Sequence, residues 1–436
     1  MSVGVMNITG DFDQLQFENF KTSLHDFKQC MDALFVLLMG SIICFLQSGF
    51  AMLEAGAVRA KNVTNILIKN FVDLCFGSLL FFLFGYAFAF TEGNQWIGWN
   101  YFALWKFPAE LFPHAFMQST FASTCATIVS GALAERCDFG GYLIASGIIS
   151  GIVYPIGTHW CWTSDGYFAA QGFTDFAGSA VVHLAGAMLS LAGCIVIGSR
   201  TDRWTGNVKM TGHSIPLICL GFFILNFGFL AFNGGSQGAI SNEGNGPAFA
   251  LAVVNTQMAC SAGGITVLMI LKLFTGKYSL QKAINGALAG MVSLCAGCNL
   301  LPPWASFIVA SVSGIVYILS SNLIILLRID DPLDAIAVHG GGGIVGILAV
   351  PIFMKEGLLY GYNEEAFNML TVNAYGAGVL AAYNFVVGLV LFGLLRMVGL
   401  LRIDKETERM GSDKLKHGEE SYPQDDKVQV FIETAK

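Results

Sequence analysis

Apolar stretches about 20 residues long recur along the whole chain, and this repetition restricts the fold more than any single motif. A helix needs about 20 residues, at about 1.5 Å each, to cross roughly 30 Å of hydrocarbon. Eleven such stretches are readable among the 436 residues: 31–53, 66–90, 112–134, 141–161, 176–198, 214–236, 247–272, 283–300, 304–327, 335–354 and 376–401. Composition points the same way, with 54% hydrophobic and only 12% charged residues, about half the charged share of a water-soluble domain. The expected fold class is therefore an all-α membrane protein with eleven transmembrane helices. The first stretch follows an acidic polar leader with no basic n-region and no small-residue cleavage site, so it reads as a span and not as a signal peptide.

The net charge of −7 comes without any basic cluster interleaved with aromatics, which excludes nucleic acid as a partner. The eleven cysteines are scattered, mostly in apolar runs, and form neither a disulfide framework nor a zinc pattern. Cys295 and Cys298 make a C-x-x-C without the βαβ context of a redox motif, and read as packing residues. No metal and no cofactor is expected, and no enzyme activity.

Cytoplasmic loops collect lysine and arginine. Placing Arg59 and Lys61 inside puts Arg136, Arg200, Arg203, Lys209, Lys272, Lys277, Lys282 and Arg328 inside as well, and leaves Lys21, Lys28, Lys106 and Lys355 outside. The organisation that follows is an extracellular segment 1–30, a first transmembrane half 31–200 (helices one to five), a second half 201–354 (helices six to ten), an extracellular loop with helix eleven over 355–402, and a cytoplasmic tail 403–436. The sequon at Asn7 then lies outside and is open to glycosylation, whereas the one at Asn62 lies inside.

Two histidines stand inside these stretches, each eight residues after an aspartate: Asp175 and His183, Asp331 and His339. An ionisable residue at membrane depth is a functional-site hypothesis by default, and a buried neutral imidazole both donates and accepts a hydrogen bond. Eight helical residues rise about 12 Å. With spans five and ten running in opposite directions, both histidines approach the bilayer midplane. Two five-span halves of opposite orientation read as an inverted repeat with its site at the repeat interface, plus one extra helix. The other histidines (His25, His114, His159, His213, His417) have no matching partner. The run Gly340 to Gly343 lacks the strand and the Gly-Lys-Ser/Thr of a phosphate loop, and reads as a surface for close helix approach. Lys69 and Asp73, four apart, read as a helical ion pair or as the mark of a polar face.

At these residues the chain resembles the ammonium transporter family (Amt, MEP and Rh proteins), from about Met31 to Tyr422. The carriers are DFAGSAVVHLAGAMLSLAGCIVIGSR (Asp175 to Arg200), DDPLDAIAVHGGGGIVG (Asp330 to Gly346), GFAMLEAGAVRAKN from Gly49, FASTCATIVSGALAER from Phe121 and FNGGS from Phe232. The unbroken Asp-Phe-Ala-Gly and Val-His-Gly runs are similar to the Amt branch. The resemblance implies an ammonium-recruiting site at Trp162, Phe121 and Ser236, where an indole face attracts a cation. It implies that Phe121 and Phe232 are stacked rings closing the pore, and that Asp175 is the acidic residue beneath the recruitment site. It implies that His183 and His339 are twin histidines bonded across an apolar pore, where bare ammonium would lose its hydration but ammonia would not. Met117 stands where an aromatic is common, which bears on the width of the vestibule.

The tail from Asp404 has the composition of a disordered segment. Its stretch Gly411 to Tyr422 still resembles the family's tail pattern through Gly411, Asp413, His417, Gly418, Glu419 and Tyr422, which implies docking on a neighbouring subunit and a homotrimer in the lipid bilayer. Leu415 stands where plant members often carry threonine. The function implied is an ammonium transporter of the plasma membrane, with methylammonium as an analogue and with or without net proton movement. A bis-histidine haem protein, an ammonium sensor without appreciable flux and a carrier for another small amine are the alternatives.

Overall fold

The computed structural model describes residues 8–206 and 208–423; Asn7, the expected glycosylation site, lies outside the described residues. Hydrocarbon offers no partners for backbone N–H and C=O groups, so an apolar chain of this kind satisfies them within helices. The long helices are α1 (Ile8–Ala57), α2 (Ala60–Phe90), α3 (Phe112–Ala132), α4 (Phe139–Trp162), α5 (Ser179–Ile197), α6 (Ile215–Gly235), α7 (Asn245–Thr275), α8 (Leu280–Leu294), α9 (Pro303–Leu326), α10 (Ile336–Phe353) and α11 (Glu364–Met397). A short α12 (Lys405–Met410) opens the tail. Among the described residues nine of these helices, all but α3, α8 and α12, are long and apolar enough to cross a membrane. The chain is a multi-pass membrane protein.

The two longer exceptions, α3 and α8, have physical reasons. α3 has 21 residues but carries Ser119, Thr120, Ser123, Thr124, Thr127 and Ser130, all buried. Several of these hydroxyls bond back to their own helix, as Thr124 does to the Thr120 carbonyl at 2.8 Å, so α3 is packed inside protein without being strongly apolar. α8 has only 15 residues and stops at Leu294, short of the span expected to reach 300. The orphan carbonyls beyond it are taken up by another loop: Ala177 N–H donates to the Cys295 carbonyl at 2.7 Å and Phe176 N–H to that of Ala296 at 3.0 Å.

Burial separates centre from periphery. The apolar windows of α5 and α10 are 78% and 72% buried, against 28% to 39% for α1, α2, α6, α7, α9 and α11. The two histidine-bearing helices thus lie in the core, and α1, α2, α6, α7, α9 and α11 carry many Leu, Ile and Phe side chains outward. Glycine lets this core close up. A Cβ at Gly343 would lie 2.5 Å from the Ser179 carbonyl and one at Gly346 2.4 Å from that of Ser293, so α10 meets α5 and α8 backbone to backbone. Likewise a Cβ at Gly221 would lie 2.2 Å from Leu53 N, where α6 crosses α1.

Two expectations are corrected. Lys69 and Asp73 are both fully buried but do not pair: Lys69 Nζ donates to the Cys137 carbonyl at 3.4 Å and lies over the Tyr142 ring. Asp73 accepts instead from Tyr142 and Ser146, each at 2.6 Å, because tertiary partners on α4 offer better geometry than the next helical turn. The tail, disordered by composition, is folded as far as Pro423; its charges find fixed partners on the body of the same chain, which offsets the cost of ordering.

Candidate functional site

α5 and α10 begin with the same device. Each opens in a wide π-helical turn, Ser179–Leu184 and Ile336–Gly341, with the histidine as its fifth or fourth residue. The aspartate of each spacing precedes the helix and folds back onto its orphan N–H groups. Asp175 accepts from Ser179, Ala180 and Val181 at 2.8, 2.8 and 2.9 Å. Asp331 accepts from Ile336 at 2.7 Å and Leu333 at 3.3 Å. The stretch between aspartate and histidine is therefore half loop and half helix on both sides, not the continuous helix that a rise of about 12 Å assumed.

The histidines meet. His183 Nδ1 and His339 Nδ1 are 3.2 Å apart, with the rings nearly parallel at 14° and their centroids 5.2 Å apart. A bond between two Nδ1 atoms requires one to carry hydrogen and the other a lone pair, so a neutral pair holds opposite tautomers. His183 Nε2 has no protein partner among the described residues. The surroundings are aromatic: Phe229 stacks on His183 at 5.7 Å and Phe232 leans on it at 5.5 Å. Phe229 was not legible in advance, since nothing distinguishes it in sequence from a packing residue of α6.

On the far side of Phe232 lies Phe121, with ring centroids 4.2 Å apart and both side chains buried. Trp162 meets Phe121 edge-on at 5.8 Å. Above these rings opens a cavity of about 240 Å³ lined by Trp162, Phe121, Ser236, Met117, Gln118 and His114 among others. Trp162 Nε1 is spent on the Asp175 carbonyl at 2.7 Å, which leaves the ring as its remaining interacting surface. The Ser236 hydroxyl donates to the Phe232 carbonyl at 2.8 Å, leaving oxygen lone pairs to accept from a ligand N–H. His114, without a visible partner in sequence, bonds Tyr86 at 3.0 Å and lines this cavity. Asp175 does not line it: its carboxylate faces its own helix, and it reaches the cavity only through the carbonyl that holds Trp162.

On the other side of the pair His339, but not His183, lines a second cavity of about 30 Å³ with Glu54, Asn285, Leu333 and Ile128. The histidines thus stand between two cavities, one aromatic and one mixed.

The tail docks at the face nearer the second cavity. Asp413 accepts from Thr64 N–H at 3.0 Å and Asn65 N–H at 2.9 Å, acting as a cap for α2 brought from elsewhere in the chain. Gly411 has φ 114° and lies so close to Lys61 that a Cβ would meet it at 2.7 Å, so only glycine fits there. His417 Nε2 bonds Asn65 Nδ2 at 2.8 Å, Gly418 turns left-handed at φ 67°, Glu419 N–H donates to the Asp413 carbonyl at 3.2 Å, and Tyr422 bonds His213 at 2.9 Å. Leu415 is exposed. Beneath the tail is a buried charge network missed in the sequence. Glu135 takes Arg59 and Arg200 at 2.9 and 2.8 Å, and Arg200 and Arg203 take Asp330 at 2.9 and 3.0 Å. Burial pushes the Glu135 carboxyl up, but the Arg200 and Arg59 guanidiniums outweigh it and hold it at about 2. Arg136, fully buried, donates to the carbonyls of Ala132, Ala134, Gly198 and Asp330.

These features define a class: a polytopic helical membrane protein with a histidine pair on the line between two cavities. A family model described as the Ammonium Transporter Family matches residues 34–422. Ammonium transporter 1 member 3 of Solanum lycopersicum is 36% identical over 427 residues, 90% of this chain and 93% of that protein. The solved structure titled Sensor Amt Protein superposes with a TM-score of 0.84 at 33% identity, over 90% of this chain and 99% of that one. Mep2 of Candida albicans superposes at 0.77 with 27% identity, over 86% and 87% of the two chains. The chain belongs to the ammonium transporter family, whose named members are transporters and not enzymes.

Proposed function

We propose that the protein recruits ammonium in the cavity beside Trp162 and conducts ammonia past His183 and His339, with the proton following along the histidine pair. The observation that carries this reading is the 3.2 Å contact between the two Nδ1 atoms, in an aromatic setting with no other polar partner on His183 Nε2. A cation gains from the Trp162 face and the Ser236 oxygen, and methylammonium, carrying the same charge, fits as an analogue. A hydrated potassium or sodium ion would have to shed its water against the Phe121 and Phe232 rings, which offer no replacement. Ammonium avoids this by leaving its proton behind. The histidine pair passes that proton by exchanging tautomers, His183 Nε2 accepting and His339 releasing toward the second cavity.

The reading carries an architecture. α1 to α5 and α6 to α10 are two halves of an inverted repeat, residues 31–200 and 201–354, and α11 is added outside it. This takes α3 and α8 as spans too, for eleven in all, which is supported by their packing against the core helices. The paired devices of Asp175 with His183 and Asp331 with His339 support the same division. The bundle sits in the plasma membrane as a homotrimer, with residues 1–30 and the loop before α11 outside, Asn7 glycosylated, and the tail from 403 in the cytoplasm, where the arginine-rich face lies. The likeness to the structure titled Sensor Amt Protein supports a second reading, in which ammonium binding also signals.

Purified protein in liposomes on a solid-supported, voltage-clamped membrane tests the proposal. An inward current on external ammonium that follows ammonium, and not ammonia, as pH varies is the expected result. Uptake without current would establish an electroneutral ammonia channel, and binding without flux a sensor.

A further inference from the structure

Glu54, within the GFAMLEAGAVRAKN stretch, is a buried carboxyl group that the histidine mechanism leaves without a role. It stands on α1, is 1% exposed, and lines the 30 Å³ cavity together with His339. Its two side-chain bonds both fall on Oε2, from Asn70 Nδ2 at 2.6 Å and Ser130 Oγ at 3.2 Å. Oε1 has no hydrogen-bond partner among the described residues, and it lies 2.9 Å from where a Cβ on Gly131 would stand, Gly131 being another lining residue of that cavity. The group is held by one oxygen and presents the other.

Its electrostatic neighbours are Lys69 and Asp73 from α2, Tyr142 from α4, and His339 across the cavity. Lys69 and Asp73 are fully buried, and neither touches Glu54 directly. The cluster holds two carboxyl groups against one ammonium. It is therefore one positive charge short of neutrality when both carboxyls are ionised, and a buried excess charge is costly unless a proton or cation is close by. A cavity of about 30 Å³ has room for a water-sized molecule, since one needs about 10–15 Å³ of such space. Ammonia and water are of that size.

Building on the proposed transport reading, we infer that Glu54 is the proton-returning site on the release side of the histidine pair, its substrate being ammonia that has passed His339. In its protonated state the Glu54 O–H bond breaks and the ammonia lone pair takes the hydrogen, giving ammonium and a carboxylate. The carboxylate then takes the proton delivered through His339, directly or across one water, and the cluster returns to its starting charge. Atoms and charge balance over the cycle: one ammonium enters the first cavity and one leaves the second. Lys69 attracts the carboxylate formed within the cycle, while Asp73 is held away on Tyr142 and Ser146. Asn70 and Ser130 position Oε2 so that Oε1 stays toward the cavity.

The test uses the full chain in liposomes on the same voltage-clamped membrane, with Glu54→Gln and Glu54→Asp beside the unaltered protein. Removing a positioned acid–base group slows proton transfer by roughly 10²–10⁴-fold when nothing replaces it; with water as a partial substitute, at least a tenfold lower maximal ammonium current is expected for Glu54→Gln. The half-saturating ammonium concentration should stay within about two-fold, because recruitment lies on the other side of the histidines. Glu54→Asp should recover most of the current. A Glu54→Gln protein with unaltered maximal current and pH profile overturns the inference, as does an equal loss in both variants, which would mark a packing role. Absence of current in the unaltered protein would instead remove the transport reading on which the inference rests.

Discussion

The two sides of the histidine pair are built differently. Toward Trp162 the pair is covered by Phe232 and Phe121, two buried rings 4.2 Å apart, and the cavity above them presents an indole face and a serine oxygen. Toward the tail face it meets Leu333, Ile128 and the carboxyl of Glu54. On the proposed reading, one side offers a cation weak attraction and then a dry barrier, and the other a group that exchanges a proton. In that proposal selection falls to the aromatic side and release to the mixed side, with the histidines as the link.

The sharpest way to break this comparison is at the link itself. If His183 and His339 form one proton-sharing unit, either change to Ala should lower ammonium current by roughly 10²-fold or more, and the double variant should lose little beyond the worse single one. Additive losses in a double-mutant cycle on current would dissolve the unit and leave two independent sites.

A smaller effect separates the two capping aspartates. Asp175 serves three N–H groups and its carbonyl holds Trp162, whereas Asp331 serves two and has no such link to the recruitment cavity. Both changes to Asn keep one capping oxygen, so each should cost only about 1 kcal/mol of stability by thermal unfolding. Asp175→Asn should in addition raise the half-saturating ammonium concentration, and Asp331→Asn should leave it alone. Equal shifts would mean that the Asp175 carboxylate does not fix the loop whose backbone carbonyl holds Trp162.

Of similar size is the cation attraction of the aromatic side. Trp162→Leu removes about 0.5–2 kcal/mol of cation–π interaction, a rise of about 2- to 30-fold in half-saturating ammonium, with maximal current nearly kept. An unchanged value at verified surface expression would transfer recruitment to Ser236 or to the shape of the cavity.

The smallest effect lies at the tail. His417 accepts at Nε2 from Asn65, and burial lowers its pKa from the ordinary 6.5 against the raising pull of Asp413. Protonation therefore favours the undocked tail: the His417 contribution is fully present above pH 6.5 and is lost as pH falls toward the lowered value. Limited proteolysis of residues 404–423 should accordingly quicken as pH drops through 6, and His417→Gln should flatten that dependence. A tail equally protected at pH 8 and pH 5 would show that Asp413 and Glu408 hold it without help.

Much was legible in advance because the sequence encodes solvent preference locally. A run of apolar residues announces a lipid-facing or buried helix wherever it is packed, so of the eleven spans expected from hydropathy nine are, among the described residues, helices long and apolar enough to cross a membrane. The Asp175 and His183, Asp331 and His339 spacings likewise pointed to one site, since a repeated pattern of ionisable residues in apolar surroundings is costly and has few purposes. The length of α8 was not legible, because its end is set by bonds from Phe176 and Ala177, more than a hundred residues away.

What the chain determines by itself is therefore its class, its helices and the residue types that meet at the core. Tertiary structure alone decided which polar groups are partners: Lys69 and Asp73, neighbours on one helix, part company for Cys137 and for Tyr142 with Ser146. It decided that a tail of disordered composition is ordered by the free N–H groups of Thr64 and Asn65, and that Glu54, one carboxyl in an apolar helix, shares a cavity with His339. The physical reason is the same in each case. Hydropathy is a property of a segment and survives any packing, whereas a hydrogen bond needs a particular atom within about 3 Å, and only the fold brings distant atoms that close.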